Sequence, residues 1–213
     1  MVLAPAPMPV RMTEPIRPAA TVILWRGGTN GPEVLMGQRG AGAVFMPSKF
    51  VFPGGGVDPS DHTRPLAGFL APDCARRLAD MVSPDAPPPE VLIAAALREL
   101  TEETGLELSP AAYPTLRFVF RAITPPGNRR RFDARFLLAD AAGIARDAND
   151  FSAASGELQH LRWLTLPEAR ALDLPFITEV VLAEVSALLT GGEQPGVPFF
   201  DNSGATPQFR RIL

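Results

Sequence analysis

The apolar positions of this chain recur at two periods, and the change from one to the other divides it into strands and helices. From Ala19 to Trp25 the β-branched residues Thr21, Val22 and Ile23 predict a buried strand, and Gly27, Gly28, Asn30, Gly31 and Pro32 supply a turn. Glu33 to Arg39 returns as its hairpin partner. Phe50-Val51-Phe52 is a short apolar strand that runs into Pro53-Gly54-Gly55-Gly56, where absent side chains leave room for backbone to approach a ligand. The strongest helix pattern spans Glu90 to Thr104, because Ile93, Ala96, Leu97 and Leu100 recur at i, i+3, i+4 and i+7. Prolines precede it and Gly105 ends it.

Residues 116–124 and 131–138 then read as strands joined by the polar loop 125–130, and residues 158–164 as a third. Residues 167–172 and 176–189 read as helices, and the apolar patches around Phe199 and Phe209, separated by Asp201-Asn202-Ser203-Gly204, as a terminal hairpin. Residues 57–89 look like an excursion. A short helix over 72–82 has Ala75, Leu78 and Val82 on one face, a proline-rich return follows at 84–89, and no chemistry stands out there.

A chain of 213 residues, 46% of them hydrophobic, suits one globular domain, expected at 19–213 with an insertion at about 57–88 and a flexible N-terminal arm at 1–18. Its net charge of -3 gives no basic field for a nucleic-acid polymer, though a small phosphorylated ligand needs only a local patch. One cysteine, Cys74, excludes an internal disulfide framework and a multi-cysteine zinc site. No run reaches the roughly 20 apolar residues that cross a bilayer, and Met1 to Pro18 lacks the features of a secretory signal. A cytoplasmic location without membrane contact is therefore expected, with a homodimer left open. Lys49, the sole lysine, sits in no phosphate-binding glycine loop, Cys74 reads as filler, and Trp25 and Trp163 read as core residues.

The chemistry concentrates on the long helix, where Glu99, Glu102 and Glu103 stand at i, i+3 and i+4 and share one side. Spacing alone permits two readings, a solvated acidic face or an oxygen-only site for a hard cation such as Mg²⁺ or Mn²⁺. The order of residues separates them. Arg98-Glu99-Leu100-Thr101-Glu102-Glu103-Thr104-Gly105-Leu106 fills the pattern Arg-Glu-apolar-x-Glu-Glu-x-Gly-apolar, so the chain resembles the Nudix hydrolases. Glu90 lies eight positions before Arg98, as the same signature asks, and Phe52-Pro53-Gly54-Gly55 resembles the loop that leads into it. The signature allows five residues between its glycine and its first glutamate, whereas residues 56–89 lie between Gly55 and Glu90, so the box is interrupted. That interruption, with Met46-Pro47 and Val57-Asp58, resembles the branch that includes peroxisomal coenzyme A diphosphatases. Of that branch's upstream signature Arg39 fits, while Val44 and Ser48 replace an arginine and a glycine.

The resemblance implies an α+β Nudix fold, a mixed β-sheet sandwiched between α-helices, and Mg²⁺- or Mn²⁺-dependent cleavage of the diphosphate in a small nucleotide-linked substrate. Coenzyme A or acyl-coenzyme A is one such substrate; ADP-ribose or NADH is the alternative, and a non-catalytic nucleotide-binding module the reading from another class. It implies that Glu99, Glu102, Glu103 and the Gly54 carbonyl hold metal, and that Glu90 pairs with Arg98 to fix the helix for catalysis. Glu99 and Glu157 both qualify as general base. Arg39 is a candidate substrate ligand; Arg129, Arg130 and Arg131 read either as a phosphate clamp or as exposed charge at a hairpin tip.

Overall fold

The computed structural model describes residues 14–64, 66, 70–204 and 206–213. Residues 1–13 of the expected arm lie outside the described residues. Its last three do not behave as an arm, because strand β1 already begins at Ile16 and runs to Gly28. Ile16 to Trp25 pair in parallel with Arg131 to Asp140 of the later strand, and that ladder holds the early residues in the sheet.

β2 (Gly31–Arg39) returns from β1 as an antiparallel hairpin. β3 (Phe50–Val51) and β4 (Gly54–Gly56) follow. β4 is a correction to the expected glycine loop. Three glycines have no intrinsic preference for a strand, yet Gly54, Gly55 and Gly56 pair with Thr21, Ala20 and Ala19 of β1. Helices α1 (Pro72–Leu78) and α2 (Pro89–Thr104) come next, then β5 (Arg117–Ile123), β6 (Arg131–Asp140), β7 (Leu158–Thr165), α3 (Leu166–Arg170), α4 (Phe176–Leu189), β8 (Val197–Asp201) and β9 (Gln208–Ile212). The strands form one mixed sheet in the order β3-β2-β1-β6-β5-β8-β9, with β4 also on β1 and β7 on β2. The β1–β6 and β5–β8 pairs are parallel.

Both faces of the sheet are covered, which explains why central strands such as Thr21 to Trp25 read as continuous apolar runs. On one face Val22, Leu24 and Leu137 pack with Leu92, Ile93, Leu97 and Leu100 of α2. On the other, Ile23, Phe120 and Leu138 pack with Ala169 of α3 and Val181, Leu182 and Val185 of α4. This is the mixed sheet sandwiched between α-helices that the resemblance implies.

No strand falls between residues 57 and 88 among the described residues, but the segment is less detached than an outward excursion. Cys74 and Leu78 of α1 are buried in the α2-side core, and the Arg121 guanidinium of β5 donates to the Met81 carbonyl at 2.8 Å. The segment thereby covers the outer side of α2, and every residue from Val91 to Leu97 is buried rather than one stripe alone. Leu100 lies fully buried between helix and sheet. Leu100→Ala is expected to lower stability by about 3 kcal/mol, read as an earlier midpoint in urea at unchanged slope.

Candidate active site

Helix α2 carries the acidic residues past the edge of β4, and the glycines there set how closely the two meet. A Cβ on Gly55 would stand 2.3 Å from the Glu99 carboxylate, and one on Gly54 would stand 2.6 Å from the Ala20 carbonyl oxygen. Backbone leaves no room for a side chain at Gly54, and one at Gly55 would push the Glu99 carboxylate aside. The Gly54 N–H donates to Glu103 Oε2 at 2.8 Å, which fixes that carboxyl against the β4 backbone.

The result is a cavity of about 640 Å³, within the range of small-molecule sites. Gly54, Arg98, Glu99 and Glu103 line one end, and Glu157, from the turn before β7, faces them. Burial pushes the Glu103 carboxyl up to about 8; the Gly54 N–H and Arg39 oppose that rise while Glu99 and Glu157 add to it. Burial also raises Glu99, against the opposing pull of Arg98, and Glu102 and Glu157 repel its charge further. Carboxylates so placed make this cavity the candidate functional site, because each destabilises its neighbours' charge.

Glu102 does not join them. Its side chain is 54% exposed and pairs with Arg98 Nη1 at 2.9 Å, one turn back on the helix. Residues i and i+4, Glu99 and Glu103, meet the cavity, while i+3 is rotated past its rim. Among the described residues no three acidic or imidazole side chains form a closed cluster. The oxygen-only donors on this wall nevertheless fit a hard divalent cation, which would relieve the repulsion among Glu99, Glu103 and Glu157.

The expected Glu90–Arg98 pair is not formed. Arg98 instead binds Asp61, with Nε to Oδ1 at 3.0 Å and Nη2 to Oδ2 at 3.1 Å, and also donates to Glu99 Oε1 and the Gly56 carbonyl at 2.9 Å each. Glu90 stands two helical turns before Arg98 and makes no ion pair among the described residues. Burial works against the Arg98 charge, but Asp61 and Glu99 outweigh it and hold the guanidinium above its usual value. Asp61 was legible by counting: it stands six positions after Gly55, at the five-residue spacing of the uninterrupted signature. The chain is interrupted after that acidic residue, not before it.

The candidate substrate arginines separate as well. Arg39 and Arg130 line the cavity, and Arg129 stays exposed outside it. Arg131 is no phosphate ligand. It is the first residue of β6, buried, and donates to the carbonyls of Thr124 at 3.0 Å and Asn202 at 2.6 Å. The hairpin ladder turns it inward. Sequence reading missed the aromatic residues of the cavity: Phe45 and Phe132 meet edge to face at 5.2 Å, and Phe176 and Phe200 at 6.4 Å. The alternation Phe132, Ala134, Phe136 along β6 was the available signal, since those positions share one face.

A protein-family model, NUDIX domain, matches residues 86–185. The match starts beyond Gly54 and Asp61. Among solved structures the fold is similar to a NUDIX hydrolase from Alicyclobacillus acidocaldarius, with TM-score 0.61, 24% identity, and coverage of 84% of this chain and 98% of that one. It is also similar to a MutT NUDIX hydrolase from Burkholderia pseudomallei, with TM-score 0.53, 18% identity and coverage of 81% and 99%. A third is the NUDIX domain of Shewanella oneidensis NrtR complexed with ADP ribose, with TM-score 0.54, 15% identity and coverage of 83% and 90%. A comparison with curated proteins finds no match.

Because Asp61 is fully buried against Arg98, Asp61→Ala is expected to cost about 2 kcal/mol by leaving the buried Nε donor of Arg98 without a partner, while Glu99 and Glu102 still pair with its charge. Glu90→Gln should stay within about 0.5 kcal/mol of the parent. Denaturant titration of the two variants checks which acid holds the helix.

Proposed function

We propose that this chain, which carries a Nudix domain at residues 86–185 on the Nudix fold, is a divalent-metal-dependent pyrophosphohydrolase acting on a nucleoside diphosphate linked to another moiety. The observation that carries the reading is the meeting of Glu99, Glu103 and Glu157 with Arg39 and Arg130 on one cavity. Carboxylates there would hold Mg²⁺ or Mn²⁺, and guanidiniums would grip phosphate oxygens through charge-assisted bonds. The Nudix domain and the Nudix hydrolase neighbours support a pyrophosphohydrolase.

Glu99 and Glu103 are the metal-holding residues of this reading, and the Gly54 carbonyl is a further oxygen donor in it. A bound divalent ion supplies Lewis acidity toward the phosphate oxygens and a water of lowered pKa. Arg98 keeps Glu99 oriented through its 2.9 Å bond and ties it to the β4 backbone through the Gly56 carbonyl. Glu157 is the better placed general base, since it faces the other two carboxyls and no arginine pairs with it among the described residues. Glu102, held by Arg98 at the rim, acts through that arginine. A module that only binds a nucleotide would gain nothing from a buried carboxyl and a half-buried one that repel each other, and this favours catalysis over sensing.

The sequence from Met46 to Asp58 favours coenzyme A or acyl-coenzyme A as substrate, and the ADP ribose bound by the NrtR domain makes ADP-ribose the natural competitor in a test. Incubating the protein and Mg²⁺ with coenzyme A, acyl-coenzyme A, ADP-ribose and NADH, and resolving the products, decides between them. Cleavage of ADP-ribose or NADH with coenzyme A untouched overturns the coenzyme A assignment, and no cleavage of any diphosphate overturns the enzyme.

Glu103→Gln and Glu99→Gln should each lower turnover at least about a hundredfold at saturating metal with far-UV dichroism unchanged, as expected where one charged group acts on a developing phosphoryl charge. Chelation by EDTA should abolish turnover of the parent, and Mg²⁺ or Mn²⁺ should restore it.

A further inference from the structure

The sheet registers place five residues of the cavity in one row. Gly56 of β4 is opposite Ala19 of β1, Ala19 opposite Ala134 of β6, Ala134 opposite Ala122 of β5, and Ala122 opposite Phe200 of β8. Partners in register share a face, and all five line the same cavity. Four consecutive positions with no side chain beyond Cβ make a trough across the strands, and then an aromatic ring stops it. At about 4.8 Å per strand, four steps from β4 to β8 span about 19 Å. One end of this trough is the acidic wall and the other is Phe200.

Phe176, the first residue of α4, stands over that far end. It lines the cavity and is 69% exposed, an unusual position for so large an apolar side chain. Its ring meets Phe200 at 6.4 Å and an interplanar angle of 64°, and Phe200 meets Phe209 of β9 at 6.4 Å. Aromatic faces left open at the end of a small-residue trough suit a planar, polarisable ring better than a flexible chain or a sugar.

We propose that this trough runs the nucleoside half of the substrate away from the metal-holding carboxylates and that its nucleobase stacks on the open ring of Phe176 beside Phe200. The assignment rests on the pyrophosphohydrolase reading for which end holds the phosphates. Phe176 is a specificity residue that contributes to binding and leaves the phosphoryl chemistry to the other end.

The test compares two non-hydrolysable probes by calorimetry in Mg²⁺ buffer, α,β-methylene-ADP, which carries a base, and methylene diphosphonate, which does not. Phe176→Ala is expected to weaken the nucleotide about tenfold and to leave the diphosphonate unchanged, with Phe176→Trp restoring the nucleotide. Ala134→Leu, which fills the trough while leaving Phe176 in place, should weaken the nucleotide alone as well. The proposal is overturned if Phe176→Ala keeps the nucleotide affinity within twofold, if both probes weaken together, or if the parent binds the nucleotide no better than the diphosphonate. A parent that binds the nucleotide through Phe176 but cleaves no diphosphate upholds the base site and removes only the enzyme.

Discussion

The Arg98 guanidinium is the joint on which the site depends. It reaches the insertion through Asp61, the glycine strand through the Gly56 carbonyl, and the acidic helix through Glu99 and Glu102. Arginine suits this position because its planar fork offers several donors in fixed directions and keeps its charge when partly buried. Lysine would supply a single point of charge and leave at least one of those elements untied. The arrangement converts a local sequence of polar residues into a contact between segments far apart in the chain. It also places a positive group behind the wall of carboxyls, and so limits the repulsion they impose on the fold.

Much of this architecture was legible in the sequence, for reasons that differ by element. The period of α2 is set by contacts within a few residues, and Gly105 adopts the left-handed backbone that ends a helix, so both bounds could be read. The α4 span and the terminal hairpin followed from equally local patterns. β4 could not be read that way, because glycine carries no strand preference and its pairing with β1 is decided by a partner more than thirty residues away. The inward turn of Arg131 was hidden likewise, since a one-residue difference at a strand start sends a side chain to the core or to solvent.

Within the site, the acidic residues were legible as a set but not as individuals. Spacing of i, i+3 and i+4 says that three glutamates share a side of the helix, and only the position of β4 decides that Glu99 and Glu103 face the cavity while Glu102 turns to Arg98. Asp61 was hidden by an assumption about where the chain is interrupted. Glu90 satisfies the spacing toward Arg98, Asp61 satisfies the spacing from Gly55, and the tertiary fold chooses the acid that can reach the guanidinium.

The tie between Asp61 and Arg98 also fixes where the intervening chain is free to vary. Asp61 anchors one end of the segment before α2, and the Arg121 bond to the Met81 carbonyl anchors it again near the other. Between fixed ends, the entropy of closing a loop rises only with the logarithm of its length, about 0.6 kcal/mol for each doubling. Outside α1, whose Cys74 and Leu78 belong to the core, residues could therefore be added between these anchors with little thermodynamic consequence for the acidic wall. The same arrangement of carboxylates could then be held by a chain with a different spacing between glycine strand and acidic helix, because it is joined in space and not along the backbone.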